Sequence, residues 1–157
     1  MPRPPKCRWV EFLPGVTYFK PAGRPLRALG EVCLSVEEAE AIRLKDLEKL
    51  EQEKGAERMH ISRPTFQRVL ASARQKIADA LFAGKAIRID GGNFEMAPRR
   101  FQCFNGHEWA VPFATVESIP PKFCPTCETT IISPLKPSVF GQGGRGSGRQ
   151  HRRRYER

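Results

Sequence analysis

Four residues in the C-terminal third have the types and spacing of a metal site: Cys103-x3-His107, sixteen residues, then Cys124-x2-Cys127. Thiolate sulfur and neutral imidazole nitrogen are donors that suit Zn²⁺. Four protein donors close a tetrahedron and leave no position for a reacting molecule, so the expected role of one Zn²⁺ is structural. The first pair departs from the commoner C-x2-C spacing. An iron site, or free or disulfide-linked cysteines, are the competing readings, the disulfide being disfavoured in a reducing compartment.

The elements that must hold these donors are short. Each pair lies in a turn-forming context, Phe104-Asn105-Gly106 in the first and Pro125-Thr126 in the second. Strand-like Glu108–Phe113 runs between them, and Thr129-Thr130-Ile131-Ile132 follows. Two such knuckles on short strands resemble a zinc ribbon. About 35 residues with so few apolar side chains cannot sustain a core alone, whereas bound zinc supplies on the order of 10–16 kcal/mol in folds of this size. Binding of nucleic acid, binding of protein and mere stabilisation of a chain end all fit such a ribbon.

Residues 50–82 carry a different pattern, that of a helix-turn-helix. Small Ala56 sits where two helices would touch, and Met59, Ile61, Phe66 and Val69 fall along the apolar seam between them. Ser62 can cap the second helix by accepting a backbone N–H bond. Arg63 and Pro64 then open it, Pro costing little in a first turn. The second helix is expected over about Arg63 to Phe82, with Phe66, Val69, Leu70, Ala73, Ile77, Ala80 and Leu81 as a buried stripe and Gly84 as C-cap. In such a motif the start of the second helix meets base edges. Arg63, Gln67 and Arg68 are the expected base or phosphate contacts, and Arg and Gln can bond guanine and adenine in bidentate fashion. Ser62, Thr65 and Gln52 suit phosphate contacts, and Arg74 lies on the same polar side of the helix. Lys49 and His60 occupy turn positions where Gly is usual, and Gly55 inside the first helix costs about 1 kcal/mol relative to Ala.

Charge supports a polyanionic partner. The chain carries a net +10, and residues 1–30 and 91–157 each contribute +5 while residues 31–90 sum to zero. Within that neutral middle, residues 31–59 carry −4 and residues 60–90 carry +4, so the second helix lies on the basic side. Lys and Arg that neutralise phosphates release counterions and give sequence-independent affinity. No apolar run approaches the roughly 18 residues of a membrane span, and no secretory signal opens the chain. A cytoplasmic protein is expected. No acids cluster for Mg²⁺ and no nucleophile–base constellation occurs, so no enzymatic role is expected; Glu37-Glu38 are read as helix-start charges after Ser35.

The expected fold is mainly α: a helix-turn-helix domain with an extended N-terminal arm (residues 1–92), a small β zinc ribbon (93–137) and a disordered Arg/Gly-rich tail (138–157). A helix over about 36–47 and a strand over Ala86–Asp90 complete the first domain, and Cys33 in Val32-Cys33-Leu34 is read as a buried small residue. The tail could touch nucleic acid nonspecifically or serve only solubility.

Separated blocks also agree in order with a known family. Met1-Pro2-Arg3-Pro4-x-Lys6-Cys7-Arg8, Tyr18-Phe19-Lys20-Pro21-Ala22-Gly23, Glu40-Ala41-x-Arg43-Leu44-Lys45-Asp46, Ser62-Arg63-Pro64-Thr65-Phe66-Gln67-Arg68 and Gly84-Lys85-Ala86-x-Arg88-Ile89 resemble domain-of-unknown-function family 134 over about residues 1–92. The resemblance implies a small bacterial or archaeal DNA-binding protein whose helical part is similar to region 4 of sigma factors. Where family members often carry a second cysteine this chain has Glu11, which weakens any metal or redox role for Cys7. The function expected is that of a sequence-specific transcriptional regulator on double-stranded DNA, with contact to RNA polymerase or RNA as a further expectation. The alternative is an RNA-associated or protein-docking adaptor that uses the ribbon and the basic tail.

Overall fold

In the computed structural model, which describes residues 6–135, three helices cross between two parallel strands of one small sheet. Strand β1 (Arg8–Val10) and β2 (Tyr18–Phe19) come from the N-terminal arm, followed by β3 (Glu31–Leu34). Helices α1 (Val36–Ile42), α2 (Gln52–Arg58) and α3 (Arg63–Ala83) come next, and then β4 (Ala86–Ile89). Strand β4 is central, antiparallel to β2 and parallel to β3, with Glu31 opposite Ala86 and Leu34 opposite Ile89. Parallel neighbours need a long crossover, and here α1–α3 supply it. Strand β5 (Phe94–Met96) returns to pair in parallel with β1, and Ala97 N donates to the Val10 carbonyl at 2.8 Å. The third sheet has β6 (Arg99–Cys103) at its centre, flanked by β7 (Glu108–Val111) and β8 (Ile132–Pro134). A short helix, α4 (Phe113–Ser118), follows β7.

This architecture corrects the mainly-α expectation. About 38% of the described residues are helical and 22% are strand, in three sheets, so the body is mixed rather than a helical domain with one ribbon attached. The strands contributed by the arm are two to four residues long and are fixed by partners far along the chain, which local patterning does not reveal. The tail read as disordered, residues 138–157, lies outside the described residues.

The helices form for local reasons that the structure displays. Ser35 caps α1 in a capping box: Glu38 N donates to Ser35 Oγ at 3.3 Å and Ser35 N donates to Glu38 Oε2 at 2.9 Å. Helix α1 then widens into a π-helical turn, Arg43–Leu47. Lys49 (φ 61°) and His60 (φ 56°) take left-handed conformations at the two turns that bracket α2. Ser62 caps α3, and Gly84 (φ 64°) ends it. The core joins Ala41, Leu44, Ala56, Met59, Phe66, Val69 and Leu70. Gly55 has a positive role inside α2: a Cβ there would stand 2.6 Å from Phe66 Cζ, so glycine leaves room for the tip of the Phe66 ring against the helix.

Two burial expectations fail. Leu81 and Phe82 are 72% and 94% exposed. Eleven residues at about 100° each bring Leu81 back to within about 20° of buried Leu70, so the face that is covered early in α3 is open at its end, while Phe82 lies on the side away from buried Ala73 and Ala80. Cys33 is exposed, because β3 alternates and turns Leu34 inward instead.

Beside the apolar core lies an ion network. Buried Arg43 bonds Glu40 through Nε (2.8 Å) and Nη2 (2.6 Å), reaches Glu11 at 3.0 Å and also bonds Glu48. Arg58 bonds Glu11 through Nε at 2.8 Å and Glu48 at 2.6 Å. Burial alone would lower the Arg43 pKa; the bond to Glu40 and the charges of Glu40, Glu48 and Glu11 hold it above its ordinary value. The network ties the arm to α1, the π-helical turn and α2.

Candidate metal centre and candidate nucleic-acid interface

Each metal-type residue is positioned by a tight turn at a strand end. Cys103 closes β6; Gly106 (φ 84°) turns the chain, with Gly106 N donating to the Cys103 carbonyl and Cys103 N to the His107 carbonyl, both at 3.0 Å. In the second turn Glu128 N donates to the Cys124 carbonyl and Cys124 N to the Thr129 carbonyl, both at 2.9 Å, with Glu128 itself at φ 56°. The β6–β8 ladder sets Cys103 opposite Ile132, and Phe104 N donates to the Ile131 carbonyl at 2.9 Å. These bonds bring the two turns face to face.

The four donors therefore converge as the spacing predicts. Cys103 Sγ lies 3.5 Å from His107 Nδ1 and 3.8 Å from Cys127 Sγ, and Cys124 Sγ lies 4.0 Å from His107 Nδ1. All four donor atoms fall within 4.8 Å of one another, close enough to hold a metal ion. Hydrogen-bond donors surround the sulfurs: Asn105 Nδ2 reaches Cys127 Sγ at 3.2 Å and Thr126 N reaches Cys124 Sγ at 3.4 Å. The backbone N–H of Thr129 and the Asn105 amide bring the Cys127 thiol down to about 7. Burial opposes ionisation of Cys124, but backbone donors from Cys127 and Thr126 outweigh it and its pKa falls. Burial pushes the Cys103 thiol up. Asn105 was read from the sequence only as a turn residue; its amide bond to a ligand sulfur was missed, and Asn-Gly after a candidate ligand was the available signal.

The α2–turn–α3 residues separate into three groups. Ser62, Arg63, Gln67 and Arg68 stand exposed on the first two turns of α3. Arg63 pairs with Glu53 across the turn at 3.1 Å, both side chains more than half exposed, a contact worth about 0–1 kcal/mol and readily exchanged. Arg68 donates from Nε to the Pro64 carbonyl at 3.4 Å, and among the described residues no carboxylate is bonded to Arg68 or Gln67. Ser62 and Thr65 are engaged with each other, Oγ to Oγ1 at 2.8 Å, which tightens the cap. Gln52 is half-buried at the start of α2. Arg74 lies farther along and is bidentate to Asp46 at 2.5 and 3.2 Å, which leaves it with the weakest claim to an external anion.

Among the described residues no helix is long and apolar enough to cross a membrane. A model for the family "Protein of unknown function DUF134" matches residues 1–97. A "UPF0251 protein" of Moorella thermoacetica is 54% identical over 153 residues, covering 97% of this chain and 94% of its own. Another of Desulforudis audaxviator is 53% identical over 150 residues, covering 95% of both, and one of Halothermothrix orenii is 54% identical over 129 residues, covering 82% of this chain and 96% of its own. No solved structure matches the chain.

Proposed function

From the premise that the chain belongs to the DUF134 family, we propose a sequence-specific double-stranded-DNA-binding protein that regulates transcription. One observation carries this reading: Gln67 and Arg68 project, free of bonded acids, from the first two turns of a capped helix whose opposite side is pinned by buried Phe66, Val69 and Leu70. Helix α2 braces that helix, and the rigid pair offers its leading turns to a major groove. Arg68 and Gln67 would read base edges; Arg63 would leave Glu53 for a phosphate or guanine; Ser62 and Thr65 would meet backbone oxygens.

The Cys/His cluster is proposed to hold one structural Zn²⁺. Bonds of about 2.3 Å to sulfur and 2.0–2.1 Å to nitrogen give tetrahedral edges of about 3.8 Å between sulfurs and 3.6 Å between sulfur and nitrogen. The 3.8 Å between Cys103 and Cys127 and the 3.5 Å between Cys103 and His107 match these edges; Cys124 stands 4.0 Å from His107, about 0.4 Å beyond its edge, and all four donors fall within 4.8 Å. When bound, the ion would join the two turns; with four protein donors it leaves no open position, in keeping with a non-enzymatic role. A cluster built from reduced cysteines also suits the cytoplasm.

The test is selection of duplexes from a random pool by the purified chain. Enrichment of a defined site, lost in Arg68→Ala with α-helical content unchanged, is the expected result; recovery of no duplex above background defeats the reading. A second reading, an RNA-associated or docking adaptor, is favoured by exposed Phe104 (79%) and Phe123 (57%) beside the ligand cysteines, which could stack on unpaired bases. Structured RNA that displaces the duplex at equal concentration would favour it. Metal analysis expects one equivalent of zinc, lost in Cys124→Ser.

A further inference from the structure

Most cations on the N-terminal body are neutralised within the chain. Arg8, Arg43, Arg58 and Lys76 face carboxylates that are largely buried, and Arg63, Arg74, Lys85 and Arg88 face exposed ones. The segment between β2 and β3 is different. It carries Lys20, Arg24 and Arg27, all exposed, and no acid occurs between Glu11 and Glu31. Among the described residues none of the three is bonded to a carboxylate; Lys20 Nζ donates instead to the Arg24 carbonyl at 2.9 Å. The segment is nevertheless built rather than loose: Gly23 (φ 72°) turns it, and Ala28 N to the Pro25 carbonyl and Leu29 N to the Leu26 carbonyl, both 3.0 Å, close a 3-10 turn. It lies at the end of α3, where Arg24 Nη1 comes 3.7 Å from the place a Cβ on Gly84 would occupy.

We propose that the loop of residues 20–30 is a second contact to double-stranded DNA, gripping backbone phosphates outside the stretch read by the leading turns of α3. This rests on the DNA-binding reading above. Three exposed cations within eight residues, none bonded to a carboxylate among the described residues, concentrate counterions that a phosphate backbone displaces, and that release drives binding. From Arg68 to Gly84, sixteen residues of helix span about 24 Å. The loop and the reading turns therefore meet different parts of a duplex. Phosphate contacts orient a protein without carrying sequence information, so the loop should supply affinity and salt dependence but no discrimination.

The test uses the full chain and a duplex enriched by the wild-type protein, with a scrambled duplex and a structured RNA as comparators, titrated by fluorescence anisotropy across salt concentrations. In K20Q/R24Q/R27Q the plot of log affinity against log salt should be shallower by about 2.7, at about 0.9 per phosphate contact. The variant's deficit should grow from little at 1 M salt to on the order of several hundred-fold at 0.1 M. The ratio of selected to scrambled duplex should stay unchanged. Because Arg24 also sits at the α3 C-cap, K20Q/R27Q is the control for folding, with an expected change of about 1.8. An unchanged slope in both variants while the wild type binds duplex overturns this inference alone, as does a slope change seen only with RNA. A wild-type chain that binds no duplex overturns both readings.

Discussion

The body formed by residues 6–97 and the segment 99–135 hold themselves together by different means. The first has an interior: Leu44, Met59 and Phe66 are fully buried, and Arg43 with Glu40 and Glu48 is buried beside them. The second buries little beyond Phe101, Cys103 and Cys124, and two of those three are candidate metal ligands. Phe101 stacks on half-buried Trp109 at 5.9 Å, and Arg99 covers half-buried Phe113, which adds only a thin apolar layer to a three-stranded sheet. A region with a core can lose one contact and persist; a region whose interior consists of ligands depends on what they bind.

Removing the metal should break that comparison most visibly. Chelation, or Cys124→Ser, should abolish amide protection across 99–135 while protection in α1–α3 persists, since the proposed Zn²⁺ would supply on the order of 10–16 kcal/mol to a fold of this size. Hydrogen exchange resolved by mass spectrometry reads both regions in one experiment. Uniform loss of protection would show that the body, too, leans on the metal.

Arg43→Ala attacks the other side. It leaves the buried Glu40 carboxylate with only the Glu11 backbone N–H, at 3.1 Å, while Glu48 keeps its bond to Arg58, and breaking a buried ion pair costs about 3–5 kcal/mol. Urea unfolding of the body should shift accordingly while metal content stays at one equivalent. A shift below about 1 kcal/mol would mean that water takes the place of the guanidinium.

A smaller effect sharpens the description of the core. Gly55→Ala improves helix propensity by about 1 kcal/mol on paper, yet its Cβ would meet the Phe66 ring at 2.6 Å. Overpacking of this kind costs about 1–3 kcal/mol, so the net result should be destabilising, and Gly55→Ala with Phe66→Leu should recover part of it. A stabilised single variant would contradict the observed packing.

The mildest test is of pH. Burial works against the Glu38 charge, but Lys76, Ser72 and the Ser35 backbone bond it and hold its pKa below the ordinary value. A carboxylate depressed on folding contributes stability that is present above its unfolded pKa, near 4.5, and is lost as pH falls through the folded value. Glu38→Gln should therefore flatten the acid limb of the stability curve below pH 4.5, with little change in its shape at pH 7.

The same contrast explains what was legible in the sequence. Helix α3 was readable because its signals are local: Ser62 and Pro64 start it, and Gly84 stops it one residue beyond the expected Phe82. The convergence of Cys103, His107, Cys124 and Cys127 was readable because ligand spacing across two turns is itself local. What escaped notice depends on distant partners. Strand β1 is three residues long and is a strand only because Phe94–Met96 lie beside it. Glu11 and Arg58 look like surface charges until the fold brings together residues 47 apart. Periodicity placed Leu81 in the stripe because it counts spacing and cannot see where the covering elements end.

The parallel pairing of β1 with β5 has a consequence for biogenesis. On the ribosome Arg8–Val10 emerge first, but their partners Phe94–Met96 are translated more than eighty residues later. The arm can already dock on the helices, through Glu11 to Arg43 and Arg58 and through the Trp9 backbone N–H to the Met59 carbonyl, but the outer edge of β1 must wait. The β1–β5 ladder closes only once the segment up to Ala97, which donates to Val10, has cleared the exit tunnel, so a nascent chain stalled before that point should present β1 as an unpaired edge.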